Sequence, residues 1–314
     1  MKQYKYSLGI DIGGTGIEYG IVNEEGKVLY ENDVATQDFA EPSDLVDYIF
    51  NDASIQSYMD TLLGIGIGAP NGNYFHGAIE FAPNLKWKGV IPLAQMFQEK
   101  FGKPALLTND ANAAAMGEMI FGNARHLKDF VTITLGTGVG SGVIVNGQLV
   151  YGHDGFAGEY GHIRIIPNGR KCGCGRYGCL ETYTSSTGVV RSISEMDSDN
   201  KPFSALMSME KPSAKDVFDL ADKGDLFAKE IVDFTARTLG SALADYTCFS
   251  SPKAYVLFGG IAQHHGSFPS MVKKYMEENM LIIFQNKVEI RVSSLHDVNA
   301  AVLGSASLVF SEIN

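Results

Sequence analysis

Three cysteines and a histidine stand at the spacing H-x9-C-x-C-x4-C: His162, Cys172, Cys174 and Cys179. Three thiolates and one imidazole make a closed tetrahedral donor set, the stoichiometry of a structural zinc site rather than of a catalytic one with an open position. Gly173, Gly175 and Gly178 between the thiols permit the sharp turns that would aim three sulfurs at one centre. Clustering of this kind in a chain with only four cysteines argues against a disulfide framework. The fourth, Cys248, falls in an apolar helical stretch and reads as core.

A second group could handle phosphate. Asp11-Ile12-Gly13-Gly14-Thr15 follows a short apolar strand, and its glycines would let the backbone pass close to a phosphate while the Thr15 hydroxyl donates to it. Asp11 would repel phosphate unless a divalent cation lay between, so it suggests Mg2+ held directly or through water. Leu135-Gly136-Thr137-Gly138 is a second such turn, and Phe258-Gly259-Gly260-Ile261 a third, flat enough for an adenine or a ribose. Each could be a plain turn. The first two lack the Gly-Lys-Ser/Thr of a P-loop, and both continue into a strand, unlike a dinucleotide fingerprint.

The third group is Asn109-Asp110, at the junction of a strand and an Ala-rich helix. A helix N-cap explains such a pair. So does a carboxylate that accepts the proton of an attacking hydroxyl, with Asn109 holding a neighbouring hydroxyl. A carboxylate at a helix start is expected to stay ionised. Glu159, His162, Glu181 and Asn84, the last in a loop with the only Trp, Trp87, are further partners for a polyol.

These groups are positioned by a repeat. Setting Thr15 against Thr137 aligns Gly14 with Gly136, Gly16 with Gly138 and Gly20 with Gly142, and both copies read strand, Gly-rich turn, strand, polar turn, strand. Around them the pattern alternates: helix over 41–58, strand 62–67, helix 92–101, strand 105–108, helix 110–121, helix 182–195, helix 225–249, strand 253–258 and helix 299–310. That order predicts an α/β fold of two similar βββαβαβα halves with a cleft between them. The expected domains are 1–121, completed by the C-terminal helix 299–314, and 122–298.

Bulk properties set limits. The chain has 314 residues, a net charge of −11 and 45% hydrophobic residues, which opposes nucleic-acid binding and predicts a soluble protein. No signal-peptide h-region or membrane-spanning apolar run is visible, so the cytoplasm is the expected compartment.

Together, Asp11-Ile-Gly-Gly-Thr15, Asn109-Asp110, Leu135-Gly-Thr-Gly138, Gly158-Glu159-x-Gly-His162 and Cys172-Gly-Cys-Gly-x-x-Gly-Cys179-Leu-Glu181 resemble the ROK family (repressors, open reading frames, kinases) over essentially the whole chain. With Asn84-Leu-x-Trp87, the resemblance is nearest to bacterial ROK glucokinases. It implies an actin-like, hexokinase-like two-domain ATPase fold, ATP with Mg2+, a bound zinc, a small-molecule sugar and a homodimer. It assigns Asp110 as catalytic base for phosphorylation of glucose at its 6-hydroxyl. Asn84, Asn109, Asp110, Glu159, His162 and Glu181 would line the sugar site. Asp11, Gly13, Gly14, Thr15, Gly136, Thr137, Gly138, Gly259 and Gly260 would face ATP and Mg2+, and His162 with the three cysteines would bind zinc. N-acetylglucosamine, N-acetylmannosamine, mannose and fructose stay open as sugars, their fit depending on residues 70–76. A non-catalytic sugar regulator is the alternative from another class. Family repressors carry a DNA-binding segment ahead of the first turn; ten residues precede Asp11, so an enzyme is expected. Gly16 stands where the family commonly has Lys.

Overall fold

The computed structural model describes residues 5–264, 266–295 and 300–313. The first repeat forms β1 (Tyr6–Ile12), β2 (Gly16–Asn23) and β3 (Val28–Ala35), followed by α1 (Pro42–Phe50), α2 (Ala53–Gln56) and β4 (Leu62–Ala69). A small sheet of β5 (Gly72–Asn73), β6 (Ala78–Glu80) and β7 (Val90–Ile91) precedes α3 (Leu93–Phe101), β8 (Ala105–Asn109) and α4 (Asp110–Ile120). The second repeat forms β9 (Phe130–Leu135), β10 (Val139–Val145) and β11 (Gln148–Leu149). After it come α5 (Glu181–Thr184), α6 (Ser186–Glu195), α7 (Ala214–Asp222), α8 (Leu226–Ser250) and β12 (Ala254–Phe258). The chain closes with α9 (Gly260–His264), α10 (Phe268–Asn279), β13 (Glu289–Val292) and α11 (Ala300–Glu312). Of the closing helix expected over 299–310, Asn299 lies outside the described residues.

The two large sheets have one topology. Their orders are β3-β2-β1-β4-β8 and β11-β10-β9-β12-β13, which coincide when each strand of the first copy is replaced by its counterpart in the second. β1, β4 and β8 run parallel, as do β9, β12 and β13. The duplication read from glycine register is thus a duplication of fold. The described residues form two compact units, one within Met1–Leu127, Gly142–Gly158 and Ser294–Asn314, the other within Lys128–Ser141 and Glu159–Ser293. Among the described residues no helix is long and apolar enough to cross a membrane.

In the first unit, alternation of glycine with large aliphatics sorts the sheet faces, since successive strand side chains point to opposite sides. Leu8, Ile10, Ile65 and Ile67 enter a core with Leu45, Ile49 and Phe97. The other face is stripped to glycine where Gly9 pairs with Gly66. A Cβ at Gly66 would lie 1.9 Å from the Ser305 carbonyl oxygen, and one at Gly9 2.2 Å from that of Val302. Glycine is therefore required there for α11 to lie directly on the strands. These are the strands whose ends carry Asp11 and the 70–76 turn.

Two predicted helices are broken. The stretch 41–58 divides at Asp52, which caps α2 by accepting the Ser54 N–H at 2.8 Å. Its other oxygen accepts the hydroxyls of Tyr19 (2.8 Å) and Tyr30 (2.6 Å). Likewise 182–195 divides at Ser185, whose backbone is extended and whose Oγ accepts the Gly188 N–H at 3.1 Å. In both cases a short polar side chain satisfies helix-end donors, which a propensity reading passes over.

Asp52 has a pH consequence. Burial opposes its ionisation, but the hydroxyls of Tyr30 and Tyr19 and the Ser54 N–H outweigh it and hold the carboxyl below its ordinary value. Burial, reinforced by the Asp52 hydrogen bond, pushes both tyrosines up. The depressed carboxyl contributes stability that is present above the ordinary value of 3.8 and lost as pH falls through the folded-state value. The raised phenols contribute stability that is present below 10.0 and lost as pH rises through theirs. Asp52→Asn keeps a competent N-cap. It is expected to lower the thermal midpoint at neutral pH and to flatten its fall on the acid side, as measured by thermal denaturation across pH. A variant as acid-sensitive as the wild type would refute this account.

Cys248 is not core. It is exposed, because the buried stripe of α8 runs through Leu239, Leu243, Tyr246 and Thr247, and the next position has rotated by 100° onto the solvent side.

Candidate active site

In the first unit the Asp11–Thr15 turn is held from below. The Gly13 N–H donates to the Gly16 carbonyl at 2.8 Å, and the Thr36 hydroxyl and N–H donate to the carbonyls of Gly13 (2.8 Å) and Thr15 (3.1 Å). Its tip, Gly14 and Thr15, is exposed. Asn84 lies beside it: a Cβ on Gly14 would be 3.0 Å from the Asn84 carbonyl oxygen and 3.3 Å from its Cβ. The Asn84 loop is pinned by Trp87, buried to 4% exposure, whose Nε1 donates to the Phe39 carbonyl at 3.2 Å, and by Lys86 Nζ on the Gln37 carbonyl at 2.7 Å. Gly16 is open, with only the Val34 carbonyl near, 3.9 Å from a built Cβ, so the backbone does not exclude the family's lysine there.

Asn109 is the N-cap of α4, its Oδ1 accepting the Ala111 N–H at 2.9 Å, and Asp110 Oδ1 shares the same donor at 2.8 Å. Capping thus falls to Asn109, and Asp110 occupies the first helical position. Asp110 as a residue is exposed, yet burial by the surrounding protein raises its carboxyl above the ordinary value, and the Ala111 N–H offsets this only in part. That reverses the expectation that the helix start would dominate. Asp11 is pushed up to about 8, by burial first and then by the charges of Asp110 and Glu18. The charged neighbours that shift it are all acidic. Asp11 offers a carboxylate oxygen, the ligand type that Mg2+ takes, commonly from one or two carboxylates with waters and substrate phosphates completing its shell.

In the second unit the Gly136–Gly138 turn closes on itself, the Gly136 N–H donating to the Gly138 carbonyl at 3.1 Å. The start of α6 supports it: the Ser186 N–H holds the Gly136 carbonyl at 2.8 Å and Thr187 Oγ1 the Thr137 carbonyl at 2.8 Å. Gly259, at φ +109°, comes so near that a Cβ would be 2.5 Å from the Leu135 carbonyl oxygen. Beside these turns opens a cavity of about 290 Å³ that brings Gly136, Thr137 and Gly260 together with Ser186, Lys215 and Phe218. Its α7 wall was missed in sequence, although Ser213 and Asp216 form a capping box that marks where α7 begins.

The histidine and three cysteines converge, with their ligand atoms all within 4.8 Å of one another. Cys174 and Cys179 sulfurs are 3.7 Å apart, and Cys172 Sγ is 3.6 Å from His162 Nδ1. Tetrahedral zinc with ordinary bond lengths demands separations of about 3.8 and 3.5 Å, so the donor set fits that ion. His162 turns Nδ1 to the sulfurs, leaving Nε2 on the far side of the ring. Burial opposes thiolate formation at Cys174, but the Arg176 N–H and the neighbouring thiols bring it down to about 7. Glu181, first residue of α5, sits against this group: its Oε1 is 3.0 Å from Cys172 Sγ and 3.7 Å from His162 Nδ1. Its Oε2 is 2.8 Å from where a Cβ on Gly138 would stand, so a side chain on the turn would push this carboxylate aside. Glu159 leads into the 3-10 turn Tyr160–His162, which the Ser141 hydroxyl holds by accepting the Tyr160 N–H at 3.1 Å.

A duplicated five-stranded α/β topology with a glycine turn after the first strand of each copy defines the actin-like, hexokinase-like class. The chain belongs to the ROK family, whose profile matches residues 7–312. It is 34% identical to a glucokinase of Halalkalibacterium halodurans, across 99% of this chain and 96% of that protein. It is 31% identical to the xylose repressor of Bacillus subtilis, across 98% of this chain and 78% of that protein. A ROK family glucokinase from Streptomyces griseus, solved in complex with glucose and AMPPNP, superposes with a TM-score of 0.80 at 32% identity, covering 98% of this chain and 99% of that one.

Proposed function

We propose that this chain phosphorylates a hexose with ATP, glucose being converted to glucose 6-phosphate. The observation that carries the reading is the meeting, at one glycine turn, of a cavity of about 290 Å³ and a carboxylate fit to hold a sugar. Gly136 and Thr137 line the cavity, and Glu181 lies on Gly138. The kinship to glucokinases and the glucose- and AMPPNP-bound relative support it. The net charge of −11 favours a small-molecule partner over nucleic acid.

In this mechanism Asp110 is the general base. The sugar's 6-oxygen forms a bond to the γ-phosphorus, the bond to the β–γ bridging oxygen breaks, ADP leaves, and the hydroxyl proton passes to Asp110. A carboxyl raised above its ordinary value is better matched to taking that proton. Asn84, Asn109, Glu159, His162 and Glu181 bind sugar hydroxyls. The N–H groups of Gly14, Thr15, Thr137 and Gly138 and the hydroxyls of Thr15 and Thr137 bind phosphate oxygens, Gly13 and Gly136 use their own N–H groups to close the turns, and Gly259 and Gly260 face the adenosine. Asp11 would hold Mg2+, which supplies positive charge against the polyphosphate. His162, Cys172, Cys174 and Cys179 would hold zinc as a structural ion. The active form is a homodimer in the cytoplasm, a compartment that keeps the three thiols reduced.

A coupled assay of ADP release over glucose, mannose, fructose, N-acetylglucosamine and N-acetylmannosamine tests the reading. Sugar-dependent ADP release is expected, with the highest kcat/KM for glucose. Release indifferent to every sugar would sink the kinase reading, and preference for a 2-acetamido sugar would correct the substrate alone.

A further inference from the structure

Arg170 precedes the first zinc-cluster cysteine by two residues, and its side chain turns inward to 8% exposure. A cation so buried is tolerated only when it is paired and hydrogen-bonded. Its Nε donates to Glu195 Oε2 at 2.7 Å, and Nη2 donates to Ser192 Oγ at 2.9 Å. Nη1 reaches two backbone carbonyls, Thr182 at 2.8 Å and Gly188 at 3.0 Å. The guanidinium carbon lies 4.7 Å from the centre of the Tyr183 ring, and the Tyr183 hydroxyl accepts the Arg170 N–H at 2.8 Å.

The two carbonyls are what matter. Thr182 follows Glu181, whose carboxylate rests on Gly138. Gly188 lies in the first turn of α6, where Ser186 and Thr187 hold the carbonyls of Gly136 and Thr137. One rigid, planar fork thus fixes the backbone beneath the sugar-side carboxylate and the backbone beneath the phosphate turn. Lysine, with a point charge and a flexible stem, cannot span these acceptors together.

We propose that Arg170 is a positioning residue that keeps Glu181 and the 136–138 turn in one register, so that sugar binding and nucleotide binding are energetically coupled through it. The proposal rests on the kinase reading given above. Its test is the coupling factor, the ratio of glucose Kd without AMPPNP to that with AMPPNP, measured by titration calorimetry on wild type, Arg170→Lys and Glu195→Gln. Wild type is expected to show a factor of about 5 or more. Arg170→Lys is expected to retain zinc and a cooperative melt while its factor falls towards one, with Glu195→Gln between. A merely structural role would lower the melting temperature and leave the factor alone, and that result in Arg170→Lys overturns the proposal. Should Arg170→Lys not fold, a wild-type factor in Glu195→Gln overturns it instead. Wild type that binds neither ligand removes the kinase reading and this proposal together, whereas active wild type with an unaltered variant removes this proposal alone.

Discussion

Asp110→Asn is expected to lower kcat by about 10²- to 10⁴-fold while leaving glucose affinity within a few-fold of wild type. The substitution is nearly isosteric and removes only the capacity to accept a proton. It spares the helix, because Asn109 Oδ1 takes the Ala111 N–H on its own account, and Asn is itself well suited to a helix start. It also takes away one of the charges that push Asp11 up to about 8, so the folded state should be no less stable, and thermal denaturation should give an equal or higher midpoint. Steady-state kinetics with glucose titration separate the two quantities. Near-normal kcat would remove Asp110 as base, and loss of glucose binding with kcat would mean that it orients the sugar rather than taking its proton.

The second large effect concerns the metal. Cys174→Ser is expected to abolish zinc binding, which elemental analysis of the wild type should give as one ion per chain. Cys174 is the informative ligand because it is exposed, whereas Cys172 and Cys179 are buried, so the serine disturbs little besides coordination. The ion would tie the thiols to His162, and Glu181 packs on that same group at 3.0 Å from Cys172 Sγ. Glucose affinity should therefore fall by about 10- to 100-fold as His162 and Glu181 lose their alignment. Chelation of wild-type zinc should reproduce the defect, and zinc restored to the chelated protein, though not to the variant, should reverse it. Full zinc occupancy in Cys174→Ser would refute the ligand set. Zinc loss with unchanged glucose affinity would detach the metal from the sugar site.

The local devices of this fold were written in short stretches of chain. Strand and turn patterns, glycine turns of matching register at 14–16 and 136–138, and the spacing of three cysteines and a histidine are all short-range features, and each reappears in the structure. The Asn109-Asp110 pair was legible as a cap or as a base. The structure divides the two, placing the cap on Asn109 and leaving Asp110 at the first helical position.

What the chain order could not convey depends on partners far away in sequence. Asp52 breaks a helix while accepting the hydroxyls of Tyr19 and Tyr30, more than twenty residues upstream. Ser185 breaks another while freeing the start of α6 to hold the carbonyls of Gly136 and Thr137, about fifty residues upstream. Cys248 is apolar in its neighbourhood yet exposed, since burial depends on which stripe of α8 meets other elements. The direction of the Asp110 shift likewise depends on how much protein surrounds a carboxyl whose helix-start position favours the opposite. By itself the sequence determined the repeat, the turns, the thiol cluster and the list of polar groups, because backbone freedom, periodicity and ligand spacing act within a few residues. Only the tertiary structure decided that Glu181 lies on Gly138 and that one buried arginine braces both, because close approach and desolvation are properties of packing between distant segments.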